Sequence, residues 1–189
     1  TFAYDYVKAC LLKGKSVVTS NKELVAAKGA ELLKIAMDNN INFMFEASVA
    51  GGIPILQTMK TSLAANKITS VMGIVNGTTN YMLTKMSQEH MDYEDVLKEA
   101  QAMGYAESDP TADVGGLDAA RKAVILASIA FNTRVSLDDV QIEGIQNIGI
   151  QDIDYAEKLG YVIKLLAVAK NDPENGISVS VRPTMLPKE

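Results

Sequence analysis

Cysteine and histidine are almost absent from this chain of 189 residues, which carries one of each, Cys10 and His90. A lone cysteine forms no intramolecular disulfide, which fits a reducing, intracellular setting, and a lone imidazole excludes every metal site that needs two or more histidines. Basic residues are in the minority: 18 Lys plus Arg stand against 23 Asp plus Glu, a formal net charge of −5. The positive surplus on which phosphate-backbone binding depends is missing, so nucleic acid is not an expected partner. Long hydrophobic runs are missing as well. The most apolar stretch, AVILASIAF at 123–131, falls far short of the roughly 18 to 20 residues that span a bilayer, and no membrane segment is expected. The chain opens on Thr1-Phe2-Ala3-Tyr4-Asp5, with neither an initiator Met nor a charged leader before an apolar stretch, and reads as cut from something longer.

What remains is ordinary for a packed protein. Hydrophobic residues make up 48% and charged residues 22%, which excludes disordered, collagen-like and disulfide-scaffold chains. At roughly 150 residues per domain, the length fits one domain, or one domain plus a fragment of another. Along the chain, helical spacing at 3–13 stops at Gly14, the β-branched 15–19 reads as a strand, and Ser20-Asn21 offers a cap for a helix over 22–38. Helix, strand, helix with short connections is how a doubly wound nucleotide-binding domain reads near its end. Further strands are expected at 42–47 and 67–75, and helices from Pro54 to about 65, at 80–86 with Thr79 capping, and up to Gly104 with Asp92 capping. Residues 105–116 read as a loop and 117–131 as a helix that is apolar almost all round in its second half. After 140–145 and a short helix near 155–159, strands at 161–169 and 177–184 are joined by the turn-rich 171–176. The fold class is α/β: an α+β domain with a mixed β-sheet covered by helices, preceded by a remnant of a Rossmann-type domain.

Three constellations could carry chemistry. Asp118 and Lys122 stand four apart, on one face of the 117–131 helix. They are either an exposed helical ion pair, worth about 0.3 to 0.5 kcal/mol, or a lysine held by a carboxylate for proton transfer. The second constellation is the loop of Tyr105, Glu107, Asp109 and Asp113, which is either a solvated acidic loop or a holder for a substrate ammonium or the Lys122 side chain. In the third, 46–54, a strand end meets a Gly-Gly turn and a helix start. It is a plain tight turn or a place where carbonyls gather beside the Glu46 carboxylate as an all-oxygen cation site. The turn Asn76-Gly77-Thr78-Thr79-Asn80 offers a similar choice, and His90 is expected to be exposed and inert.

The runs VVTSNKELVA (17–26), EASVAGGIPI (46–55), VNGTTNYML (75–83) and GYAESDPTADVGGLDAARK (104–122) together resemble homoserine dehydrogenase, in family order over nearly the whole chain. The resemblance implies an NAD(P)-dependent oxidoreductase that interconverts L-aspartate 4-semialdehyde and L-homoserine, in the biosynthesis of threonine, methionine and isoleucine. It implies Lys122 as the acid/base, Asp118 as its orienting partner or that of a relay water, and Lys22 at the junction of cofactor and substrate. Glu107 is then the residue that binds the substrate ammonium, with Tyr105, Asp113, Gly77 and Thr78 lining the same pocket. Glu46 with the carbonyls of Val49, Gly51 and Ile53 matches the family's monovalent cation site, usually sodium. NADPH or NADH is the implied cofactor, bound mostly outside this chain, because no Gly-x-Gly-x-x-Gly run occurs in it. On this reading 1–40 is the tail of the nucleotide-binding domain and 41–189 the substrate-binding, catalytic and dimerisation domain. A cytoplasmic homodimer or homotetramer acting on a small amino-acid substrate is expected. The alternative is a non-catalytic dimerising or amino-acid-binding module.

Overall fold

The computed structural model describes residues 2–188. The chain divides into two compact units that interleave in sequence. The first takes the chain up to Val71 with Arg121–Asp139 and Lys170–Ser178, and the second takes Met72–Ala120, Val140–Ala169 and the chain from Val179 onward.

In the first unit, α1 (Phe2–Leu12) leads through β1 (Val17–Val18) to α2 (Lys22–Asp38) and β2 (Phe43–Met44). Gly14 ends α1 in the left-handed region at φ 72°, where only glycine is at ease, and its N–H returns to the Leu11 carbonyl at 3.0 Å. Asn21 starts α2 as expected, its side chain accepting the Leu24 N–H at 3.0 Å. Strands β1 and β2 pair in parallel, Val17 opposite Phe43 and Val18 opposite Met44, which makes β1-α2-β2 a crossover unit. Helices α1 and α2 pack on each other, and Leu11 of α1 and Leu24 and Leu32 of α2 are fully buried. Burying each side chain contributes about 1.5 to 3 kcal/mol before entropy is counted.

The strand expected at 42–47 ends at Met44. Phe45 turns the backbone into a 3-10 turn over Glu46–Ser48, which the buried Ser48 hydroxyl fastens by donating to the Phe45 carbonyl at 2.6 Å. The helix expected from Pro54 to about 65 is a single α turn, α3 (Ile55–Gln57), followed by a π turn over Thr58–Ser62. Pro54 is the cap residue rather than the first helical one. The cause of the widening is local: the hydroxyls of Thr58 and Thr61 donate to the carbonyls four residues back, Pro54 at 2.7 Å and Gln57 at 2.8 Å. Such back-bonding distorts the regular ladder.

In the second unit, α4 (Gly77–Glu89), α5 (Tyr93–Ala102), α6 (Thr111–Val114) and α8 (Ile150–Lys158) pack around Met82, Leu83, Met86, Val96, Ala100 and Ile153. Helix α7 (Leu117–Ala130) begins here and crosses the division after Ala120. A four-stranded sheet runs in the order β3 (Ser70–Gly73), β5 (Tyr161–Asp172), β6 (Gly176–Pro187), β4 (Val140–Ile142). Strands β5 and β6 form the expected hairpin, its turn held by the Asp172 carboxylate, which accepts the N–H of Glu174 and of Asn175 at 2.8 Å each. Strand β4 lies parallel to β6, Val140 opposite Val179. The sheet is therefore mixed, as expected.

Four further expectations change. Helix 80–86 starts three residues earlier, because Asn76 and not Thr79 is its cap. The 105–116 loop contains α6, a single turn too short to show a period, after Asp109 accepts the Thr111 N–H at 3.1 Å. Asp92 occupies the cap position of α5 without accepting a hydrogen bond there. The helix near 155–159 begins at Ile150, where the Asp152 carboxylate accepts the Gly149 N–H at 2.9 Å.

Candidate functional site

The second unit brings one group of the expected residues together. Asn76, only 5% exposed, ends the turn after β3 and caps α4. Its Oδ1 accepts both the N–H and the hydroxyl of Thr79, each at 2.8 Å. Its Nδ2 donates to Asp113 Oδ1 of α6 at 2.7 Å and to Asp118 Oδ2 of α7 at 2.8 Å. Asp118 is as buried as Asn76, so its charge stands in a place that demands strong hydrogen bonds. Asn76 did not enter the expected site. The signal was present in its type and place, an asparagine immediately before the first helical residue.

Beside this cluster, Thr78 donates its hydroxyl to the Tyr105 carbonyl at 2.8 Å, and the Tyr105 ring meets Tyr81 edge-on at 5.1 Å between centroids. Gly77 is the exposed first residue of α4. Glu107 is exposed; Gln101 donates to its backbone carbonyl at 3.1 Å, while its carboxylate makes no hydrogen bond or ion pair among the described residues. That leaves an anionic group available to a cationic ligand. Behind the two tyrosines, Tyr81 donates its hydroxyl to Glu99 at 2.7 Å, and Lys85 approaches the same carboxylate at 3.0 Å. The hydroxyl bond and then the ammonium hold the Glu99 carboxyl below its ordinary range. His90 is exposed, as expected, but it also closes α4 in the left-handed region at φ 51°. Its Nδ1 stands 3.4 Å from Asp154 Oδ1.

Lys122 follows Asp118 by one turn on α7, half-buried, in the part of the helix that belongs to the first unit. Within that unit, Arg121 reaches Glu23 at 3.7 Å and so ties the residue before Lys122 to the start of α2, where Lys22 is the first helical residue. The two expected lysines thus sit on neighbouring elements.

Glu46 has a role that its sequence position did not announce: its carboxylate accepts the N–H of Leu56 at 2.9 Å and of Gln57 at 2.8 Å, capping the start of α3. Between them, Ala50 and Gly51 both lie in the left-handed region, at φ 60° and 57°. Among the described residues the carbonyls of Val49 and Gly51 accept no hydrogen bond, whereas that of Ile53 takes the Ile55 N–H at 2.8 Å. An apolar cavity of about 470 Å³ in the same unit lies between α2 and α7 and is lined by residues such as Val25, Gly29, Val124 and Ile129. None of the expected site residues lines it.

The family model described as homoserine dehydrogenase matches residues 54–189, most of the chain. The chain belongs to the homoserine dehydrogenase family. It is 53% identical over 183 residues to a homoserine dehydrogenase of Bacillus subtilis and 54% identical over 187 residues to one of Corynebacterium glutamicum. In each case 97% of this chain is covered, and 42% of the relative. The chain thus spans less than half the length of these curated relatives. Among solved structures, the homoserine dehydrogenase of Thiobacillus denitrificans matches with a TM-score of 0.95 and 46% identity, over 98% of this chain and 43% of that one. A hyperthermophilic archaeal homoserine dehydrogenase in complex with NADPH matches with a TM-score of 0.84 and 32% identity, over 98% of this chain and 53% of that one. The residues that resemble the homoserine dehydrogenase substrate and proton-transfer groups, from Gly77 to Lys122, fall inside the family match, and Lys22 and Glu46 fall before it.

Proposed function

We propose that a full-length protein carrying this chain interconverts L-aspartate 4-semialdehyde and L-homoserine, a step towards threonine, methionine and isoleucine. The observation that carries the reading is the cluster in which one buried amide holds Asp113 and Asp118, with Lys122 one turn further along the same helix. NADPH or NADH supplies or accepts the hydride when bound. In the reducing direction the aldehyde oxygen gains negative charge as its carbon is reduced, and the Lys122 ammonium stabilises that charge and delivers the proton that completes the alcohol. Asp118 orients the ammonium. The exposed carboxylate of Glu107 binds the substrate ammonium by opposite charge, and Tyr105, Asp113, Gly77 and Thr78 line that pocket.

Of the cofactor's binding groups, this chain offers the end of the parallel pair β1 and β2 and Lys22 at the head of α2, the crevice position at which such folds receive ligands. Residues 1–40 are read as the tail of a nucleotide-binding domain and 41–189 as the substrate and dimerisation domain. The donors at 46–53 suit a monovalent cation such as sodium: a carboxylate and the two unbonded carbonyls of Val49 and Gly51 are all hard oxygens, while Ile53 contributes a carbonyl already shared with an N–H. A cytoplasmic homodimer or homotetramer completes the reading. Among the described residues no helix is long and apolar enough to cross a membrane.

Lys122→Ala in the full-length protein tests the central role. Turnover falls by orders of magnitude while homoserine still binds in a calorimetric titration. Turnover near that of the parent removes Lys122 from the mechanism.

A further inference from the structure

The side chain of Asn76 has two N–H donors and two acceptor lone pairs, and all four are engaged inside a buried site. The N–H groups go to Asp113 and Asp118 at 2.7 and 2.8 Å, and the lone pairs receive the Thr79 N–H and hydroxyl. The orientation of the amide follows, since a flipped group would turn its NH₂ onto the Thr79 N–H. Both carboxylate oxygens lie within 2.8 Å of one nitrogen, so they are close neighbours. Two carboxylates so placed repel each other and favour a shared proton unless something between them offsets the charge.

We propose that Asn76 is a positioning residue that holds Asp113 and Asp118 at a fixed spacing through its two N–H groups, and thereby couples a carboxylate that lines the substrate pocket to the proton-transfer pair. The inference rests on the reading of Asp118 and Lys122 given above. The charged groups in hydrogen-bond contact with the Asn76 side chain are Asp113 from α6 and Asp118 from α7; α4 contributes the neutral Thr79, and Lys122 follows one turn along α7. Removing the amide takes one hydrogen bond from each carboxylate, that of Asp118 on a residue only 5% exposed. The common donor that fixes the spacing of Asp113 and Asp118 is then lost.

Serine and aspartate cap helices as well as asparagine does, which separates this role from simple capping of α4. In the full-length protein, Asn76→Ser keeps a cap and loses the bridging donors. Its kcat falls roughly 10- to 100-fold, as expected for lost hydrogen bonds to charged groups, with KM for homoserine raised and thermal midpoint and cofactor KM near those of the parent. Asn76→Asp replaces two donors with acceptors, so it is more impaired than Asn76→Ser at pH 8. It recovers relative to the parent between pH 8 and pH 6, as the third carboxyl takes up a proton and donates again. If both variants turn over like the parent at every pH, Asn76 is a cap only and the proposal falls. Lys122→Ala measured alongside separates the two claims: retained turnover there brings down the proton-transfer reading. Lost turnover there together with normal turnover in Asn76→Ser brings down this inference alone.

Discussion

Gly144 lies where two backbone segments of the second unit touch, and its replacement by alanine has a size that follows from the geometry. A Cβ at this position would stand 2.3 Å from the Val114 carbonyl oxygen and 2.7 Å from the Gly115 Cα, with Gln146 Oε1 at 2.1 Å. The glutamine side chain can swing away, but the other two atoms are backbone at the end of α6. Contacts shorter than 3.0 Å essentially do not occur, so the segments must separate by at least 0.7 Å, the difference between 3.0 and 2.3. The Ile145 N–H donates to that same Val114 carbonyl at 2.8 Å, and a shift of this size stretches the bond to the edge of usefulness. Overpacking costs about 1 to 3 kcal/mol and the weakened hydrogen bond about 1 kcal/mol. Gly144→Ala is therefore expected to lower stability by about 2 to 4 kcal/mol and the thermal midpoint by about 4 to 16 °C for a chain of this size. Because Val114 directly follows Asp113, the shift also strains the bond from Asn76. Gly73→Ala is the control: nothing lies within 4 Å of its added Cβ, and inside a strand alanine is favoured by about 0.5 to 1 kcal/mol. Thermal unfolding followed by circular dichroism measures both, and a Gly144→Ala midpoint within a degree of the parent refutes the close approach.

Two other perturbations probe the ties between helices. Glu99 joins α4 to α5 through Tyr81 and Lys85, and its carboxyl is held below the ordinary value of 4.5. That contribution is present above about pH 4.5 and is lost as pH falls through the lower folded value. The stability gap between the parent and Glu99→Gln, measured by urea unfolding, should thus be open at pH 7 and narrow as pH falls below 4.5, and a gap independent of pH contradicts the assignment. Glu46→Gln leaves one of the two N–H groups at the head of α3 without its acceptor, at a cost of about 0.5 to 2 kcal/mol. It also abolishes any rise in thermal midpoint on exchanging choline for sodium, and an equal sodium response in parent and variant rules out a cation at Glu46.

Where a local signal was strong, structure followed it. Asn21 before Lys22 and Gly14 after the first helix marked true ends, because caps act through groups within four residues of themselves. Thr58 and Thr61 look unremarkable in a line of letters. Only the geometry of their hydroxyls against Pro54 and Gln57 reveals why the turn widens. Residues 67–75 are rich in β-branched types, yet only Ser70–Gly73 form a strand, since a strand is defined by its partner and not by its own composition.

The site divides in the same way. Asp118 and Lys122 belong to one helix face by their spacing alone, and the ordered runs from 17 to 122 were enough to recognise the family. The meeting of Asp113, Asp118 and Asn76 across 42 positions of sequence was not legible, nor was the use of Glu46 as the acceptor for α3 ten residues later. Charge, capping and helical period are properties of neighbours along the chain, so the sequence by itself determined them. Which carboxylates share a donor depends on distances between elements far apart in sequence, and only the packed chain decided that.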